Sequence, residues 1–469
     1  MNDVALLTLA QSSAAIAEGR LTPLDLTNAY LARIERFNPQ LFAFIRVCAD
    51  EARRAARIAT EEIAANGPRS PLHGIPFAIK DIIETKGITT TGQSALFADR
   101  VPDSSAFLWQ SLEEAGAILL GKTTTWEFAI GGPALDLPWP RARNPWHAER
   151  DTGGSSSGSA AAVAAGLCAA AIGTDTGGSV RVPAAWCGCA GLKPTYGLVS
   201  RAGVYPLSFT LDHVGPICWT VEDCALVMDA IAKRDPRDRT TSLAPDLRFA
   251  DNVKDGVKGI RIGRVRNFSA DIELEPAVAD GLERAIAGLK AAGAEIVDVD
   301  LPDLAAFDAT CNLISRAESF AFHRTALQQS PEKFGAEARA RLMAGGTVAA
   351  ADYIGALRNR TALIEDVEAV FSDVDVLVCE LSGSTAPNEG GSANYGRLAT
   401  RPFNVTGSPA LSICTGFDAS GLPTAVQIVG RAYEDPLVLR AGYVVEQAVD
   451  FRAKRAMPPL SDAPERMTA

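Results

Sequence analysis

The stretch DTGGSSSGSAAAVAAGLCAAAIGTDTGGSVRVP, residues 151–183, decides how this chain is read. Two Gly/Ser clusters, 153–159 and 173–179, flank an alanine-rich run. Alone, the first cluster reads equally well as a flexible linker. The second weakens that reading, because one helix (159–166) and one small-residue strand (near 168–173) separate the two. In an α/β sheet that spacing brings both loops to neighbouring strand ends, where their hydroxyls can meet. Thr176, Gly177, Gly178 and Ser179 would then present successive backbone N–H groups with little side-chain obstruction, which is what an oxyanion requires.

Outward from this stretch, residues 1–66 carry Leu, Ala and Ile at helical spacing, with Thr22-Pro23 as a helix start. Short apolar runs at 74–79, 117–120, 260–265, 294–299, 374–379, 410–416 and 425–430 predict buried strands. Helical stretches near 275–292, 302–327, 349–371 and 434–448 alternate with them, which argues for an α/β fold. Residues 133–159 are too rich in proline and glycine for regular helix, and a loop that long is usually functional. We read 1–469 as a single domain: a helical layer at 1–66, a core at 74–217, a variable helical part at 245–410, and closing strands with a helix at 410–450.

Composition sets limits. With 47% hydrophobic and 22% charged residues, the 469-residue chain can bury a large core. A net charge of -11 and the lack of any Lys/Arg run argue against nucleic acid or anionic membrane as partners. The longest small-apolar stretch, 160–172, is too short for a bilayer span of ~20 residues. Asp3 stands where a signal peptide would be basic, and nine cysteines without paired spacing suggest reduced thiols; a cytoplasmic location is expected.

Several local motifs mislead. GAILLGKT (116–123) matches a phosphate-loop pattern, but Ala-Ile-Leu-Leu is a buried strand and not a loop whose N–H groups could surround phosphate. GSSSG (154–158) fits a nucleophile elbow at Ser156, yet no apolar strand precedes it and the last of four histidines is His323. Those histidines show no metal-binding pairing, and Cys187-Gly-Cys189 lacks a second ligand pair. Ser330 to Lys333 fits S-x-x-K without its companion motifs. What is left is serine chemistry whose base is not histidine, and lysine can serve.

These residues closely resemble the amidase signature family. The resemblance runs through GIPFAIKD (74–81), GKTTTWEFAIGG (121–132), the two Gly/Ser blocks, LDHVGPI (211–217) and ALSICTGFDASGLPTAVQIVG (410–430). It implies a large mixed β-sheet covered by helices on both faces. It also implies roles: Lys80 as base, Ser155 as bridging serine, Ser179 as nucleophile. Thr176, Gly177 and Gly178 would bind the oxyanion, Phe128 and Ala129 would lie at the acyl pocket, and Asp175 and Arg181 would support the nucleophile loop. No metal or cofactor is implied. Thr152, Ser157 and Trp186 depart from common family residues without touching these positions.

The expected reaction is hydrolysis of an amide or carbamate through an acyl-Ser179 ester, with a small-molecule amide, ester or carbamate as the partner and a homodimer left open. Trp126, Leu135, Leu137 and Trp139 predict an apolar substrate wall, with segments 126–140 and 380–400 deciding specificity. The alternative within the family is the glutaminase subunit of a tRNA-dependent amidotransferase. Its acidic DPL-x-MY segment is not found near 385–400, where SGSTAPNEGGSANYGRLA stands, so a stand-alone hydrolase is favoured. Outside enzymes, the alternatives are a binding protein on the same scaffold and a nucleotide binder.

Overall fold

The apolar runs become strands that hydrogen-bond into one eleven-stranded sheet. A computed structural model describes residues 3–389, 398–449 and 454–456. The strands are β1 (Phe44–Val47), β2 (Pro76–Lys80), β3 (Ile118–Thr123), β4 (Ala170–Asp175), β5 (Ala190–Lys193), β6 (His213–Cys218), β7 (Arg261–Val265), β8 (Glu295–Val299), β9 (Val376–Glu380), β10 (Ala410–Phe417) and β11 (Pro423–Gly430). Their order across the sheet is β1-β3-β2-β4-β6-β5-β10-β11-β9-β7-β8.

The sheet is mixed. β2 runs parallel to both β3 and β4, and β7 runs parallel to β8 and β9, while the β4–β6 and β10–β11 pairs are antiparallel. Every residue of β2, β3, β4, β6, β9 and β11 is buried, as strands covered on both faces must be. The mixed sheet with helices on both faces matches the expected fold. In the N-terminal layer, Thr22 caps the helix Pro23–Leu41 by accepting from Asp25 N at 3.1 Å.

Two features settle motifs raised by the sequence. GAILLGKT forms β3, and Lys122 Nζ donates inward to Ile83 O, Thr85 Oγ1 and Thr90 Oγ1, so it is spent on the protein's own oxygens. The alanine-rich run becomes the helix Ser157–Ala164, every residue of it buried. Small side chains are needed here: a Cβ on Gly158 would stand 2.3 Å from Ala43 O. No helix among the described residues is long and apolar enough to cross a membrane.

Candidate active site

Parallel pairing of β2 with β4 sets Ile79 beside Ile172, so Lys80 and Thr174 emerge at the same strand ends. Lys80 is fully buried, and its Nζ donates to Ser155 Oγ at 2.7 Å, Thr174 Oγ1 at 2.8 Å and Ser156 Oγ at 3.0 Å. Burial lowers its pKa from the ordinary lysine value to about 7, against the opposing pull of the Asp175 and Asp212 carboxylates. Ser155 follows a cis peptide bond from Gly154. Its carbonyl accepts from Thr125 Oγ1 at 2.9 Å and Trp126 N at 3.3 Å, which fixes the loop that presents it.

Ser179 lies on the wall of a cavity of about 820 Å³, and its hydroxyl makes no hydrogen bond to protein among the described residues. Its carbonyl accepts from Ser156 N at 3.2 Å, tying the two Gly/Ser loops together. Gly178 has φ +128, and a Cβ there would lie 2.5 Å from Thr400 Oγ1, so only glycine fits. One expected oxyanion donor is not free: Gly178 N donates to Asp175 Oδ1 at 2.7 Å. The N–H groups of Gly177 and Ser179 are not occupied in this way.

Asp175 organises the loop from below. It accepts from Gly178 N, Val180 N and Arg181 N, from Arg181 Nε at 3.0 Å and Nη2 at 3.1 Å, and from Asn404 Nδ2 at 2.8 Å. Burial pushes its carboxyl pKa up, yet the Arg181 guanidinium and these donors hold it well below the usual carboxylate range. Arg181 also donates to Thr400 O, Gln427 Oε1 and Asn404 Oδ1. Beside this group, Thr176 Oγ1 donates to Asp212 at 2.6 Å.

The cavity wall differs from the apolar one expected. Trp126 and Leu135 line it, but Leu137 and Trp139 do not, whereas Asp136, Arg141, Glu337, Arg341, Glu389 and Arg401 do. Asp136 and Arg141 come from the same proline-rich segment as the expected apolar residues, while the helices Leu304–Gln329 and Ala336–Gly345, far along the chain, add Asn312, Ser315, Glu337 and Arg341. Within 380–400, Glu389 and Leu398 reach the wall, and 390–397 lie outside the described residues. Neither Phe128 nor Ala129 lines this cavity. Phe128 has left-handed φ of 47° and packs its buried ring on Tyr205 and His323, with centroids at 4.9 and 4.8 Å, and Ala129 lines an adjoining cavity of about 230 Å³ that shares Thr176 and Leu207 with the first.

Sequence reasoning missed Ser156 and Thr174 on Lys80, and Thr400, Asn404 and Gln427 on the nucleophile loop. The last three gave one usable signal, polar residues in an otherwise apolar C-terminal region. No group of His, Cys, Asp or Glu able to hold a metal occurs among the described residues.

A mixed sheet of this order, with two Gly/Ser loops joined over a buried lysine, defines a class of C–N-cleaving enzymes. The sequence model of the family described as Amidase matches residues 25–439, and the chain belongs to that family, the amidase signature enzymes. A glutamyl-tRNA(Gln) amidotransferase subunit from Chloroflexus aggregans is 37% identical, over 97% of this chain and 99% of its own. The peptide amidase of Stenotrophomonas maltophilia is 31% identical with a TM-score of 0.83, covering 97% of this chain and 99% of its own. A chain from a protein complex bearing on the origins of an s-triazine catabolic enzyme is also 31% identical, with a TM-score of 0.88, covering 94% and 98%.

These relatives correct the expected partners. A small molecule with at most a second copy of the chain does not stand beside relatives that are by name one subunit of a glutamyl-tRNA(Gln) amidotransferase or one chain of a protein complex, which point to protein partners. The sequence had offered this reading in the amidotransferase-subunit alternative, which was set aside because the DPL-x-MY segment is absent.

Proposed function

We propose that this chain cleaves a carboxamide through an acyl ester on Ser179, with Ser155 relaying the proton and Lys80 as the base. The observation that carries this is the 2.7 Å contact between Lys80 Nζ and Ser155 Oγ in a fully buried setting, beside a cavity-facing Ser179 hydroxyl with no partner among the described residues. Neutral Lys80 takes a proton through Ser155, and Ser179 Oγ attacks the carbonyl. The N–H groups of Gly177 and Ser179 receive the oxyanion. The relay reverses to protonate the leaving nitrogen, and water then cleaves the ester by the same route.

Two uses of this chemistry differ in what surrounds the chain. The amidotransferase relatives favour an amide-cleaving subunit that supplies ammonia within an assembly, with glutamine as the first substrate to test. The peptide amidase favours a second reading, a stand-alone hydrolase of aryl or alkyl amides, to which carbamate or urethane cleavage belongs. Nine cysteines, all buried and free, support a reducing cytoplasmic compartment for either.

The test is a screen of the purified chain against glutamine, an anilide and a carbamate, alongside labelling by a serine-reactive phosphonate. Ammonia from glutamine supports the subunit reading, and turnover of the anilide or carbamate without glutamine supports the stand-alone one. Full activity in Ser179→Ala would sink both.

A further inference from the structure

Of the three hydroxyls on Lys80, two are spent within the site. Ser155 belongs to the proposed relay, and Ser156 Oγ donates onward to Thr174 O at 3.2 Å. Thr174 Oγ1 differs: it accepts from Lys80 and donates to no protein atom among the described residues. Thr174 lines the smaller cavity of about 230 Å³, so a second chamber lies behind the buried lysine, with the substrate cavity in front.

This chamber has polar walls and an outward mouth. Asp212, partly exposed on its wall, accepts from Thr176 Oγ1 at 2.6 Å and from Leu207 N and Ser208 N at 2.8 and 2.9 Å. A carboxylate has about four lone-pair sites, so it can accept once more. With its proton on Nδ1, His213 donates to Leu211 O at 2.7 Å, and Nε2 is then an acceptor with no protein partner among the described residues. A buried acceptor of this kind takes its hydrogen bond from water, and a chamber of this volume holds several waters. The exposed side chains of Phe209 and Arg237 also line it, so it opens to solvent on its own side.

The charges facing this path can be assigned one by one. Asp175, near the lysine, is committed to Arg181 and faced by Lys193. Glu318 is taken up by Ser208 and Thr210, Arg237 pairs with Asp235, and burial keeps His213 neutral. Of the chamber's two carboxylates, Asp238 pairs with Arg201, whereas Asp212 has no salt-bridge partner among the described residues.

We infer that the chamber is a proton port behind Lys80, with Asp212 as a positioning residue: through chamber water and the Thr174 hydroxyl it steadies the lysine's proton, and that proton leaves by this side while substrate fills the front. As Thr174 Oγ1 takes the proton from Nζ, its own proton passes to a chamber water, and the hydronium so formed rests against Asp212 until solvent carries the charge away. The reverse sequence recharges the lysine. The inference rests on the reading of Lys80 as the base.

The test is activity against pH with the best substrate of the screen above. Asp212→Asn removes the charge that favours protonated Lys80, so the acidic limb of kcat/KM moves to lower pH, and at pH 5.5 the variant keeps about threefold or more of the wild-type fraction of plateau activity. Thr174→Val moves the limb the same way, Thr174→Ser does not, and adding Asp212→Asn to Thr174→Val moves it no further. Asp212→Ala leaves the donors of Thr176, Leu207 and Ser208 around a space that admits formate. Formate is expected to restore the wild-type limb at saturating substrate without raising KM, since it enters from behind. An unmoved limb in Asp212→Asn or Thr174→Val, additive shifts in the double variant, or formate that is inert or competes with substrate overturns the inference while Lys80 stays the base. Should the Asp212 variants not fold, the contrast between Thr174→Val and Thr174→Ser decides alone. A flat wild-type profile removes both the inference and the role of Lys80 beneath it.

Discussion

Three hydroxyls surround Lys80 Nζ, and an ammonium spends all three of its N–H donors on them. A neutral amine has two N–H groups and a lone pair, so one contact must reverse for lysine to act as base. Ser155 is the natural one: it is the shortest contact, and it faces the loop that carries Ser179. With a pKa near 7, the neutral fraction grows as pH rises. Activity is therefore predicted to climb about tenfold per unit below pH 7 and to level off above it, as read from kcat/KM against pH. A flat profile from pH 5 to 9 would count against Lys80. Lys80→Arg keeps its charge throughout and is expected to lose more than ~10³-fold at every pH, as is Ser179→Ala, whereas Ser155→Ala retains a small residue of activity. The contact of Lys80 with Ser155 was legible in the sequence because the blocks that carry them are distinctive. Ser156 and Thr174 were not, since only the β2–β4 register brings these ordinary hydroxyls to the lysine.

The loop between β4 and the helix Arg181–Cys187 is held by an ion pair with no exposure on either side, Arg181 with Asp175. Breaking such a pair leaves a buried charge uncompensated, so Arg181→Met is predicted to cost about 3–5 kcal/mol, measured by denaturant unfolding. Gly154→Ala tests the opposite wall. Its added Cβ would stand 2.1 Å from the Trp126 ring, forcing the indole out of its place on the cavity wall. The expected outcome is a loss of about 1–3 kcal/mol together with a changed KM. At this scale the strands were legible wherever apolar residues ran unbroken, as in VLVCE of β9 and AVQIVG within β11. β5 and β6 were missed because glycine and proline interrupt AGLK and HVGPIC, and they are strands only through their neighbours in the sheet. The helix Ala336–Gly345 was missed because its apolar residues are mostly alanines alternating with charges, a spacing that shows no helical period.

For the whole molecule, the mixed sheet was legible from strand and helix alternation together with the family blocks, while protein partners were legible only as the amidotransferase-subunit alternative and not from any surface feature. An acidic surface with no basic run says what the chain does not attract, and says nothing of which face another protein would cover. The thiols offer a test of the fold as a unit: all nine cysteines are buried, and none is disulfide-bonded. The native protein is predicted to react negligibly with a thiol reagent and to titrate all nine on unfolding. Rapid reaction of several thiols without denaturant would show that the sheet opens more readily than its burial suggests.

The clamp on the nucleophile loop has a consequence for timing. Asp175 and Arg181 belong to the first half of the chain, but Asn404 and Gln427, which complete their hydrogen bonds, lie 229 and 246 residues later in sequence. A nascent polypeptide still on the ribosome can carry Lys80, Ser155 and Ser179 long before either arrives. The Ser179 loop therefore lacks its full clamp until the closing strands dock, so on the proposed mechanism hydrolysis is expected to begin only once translation is almost complete.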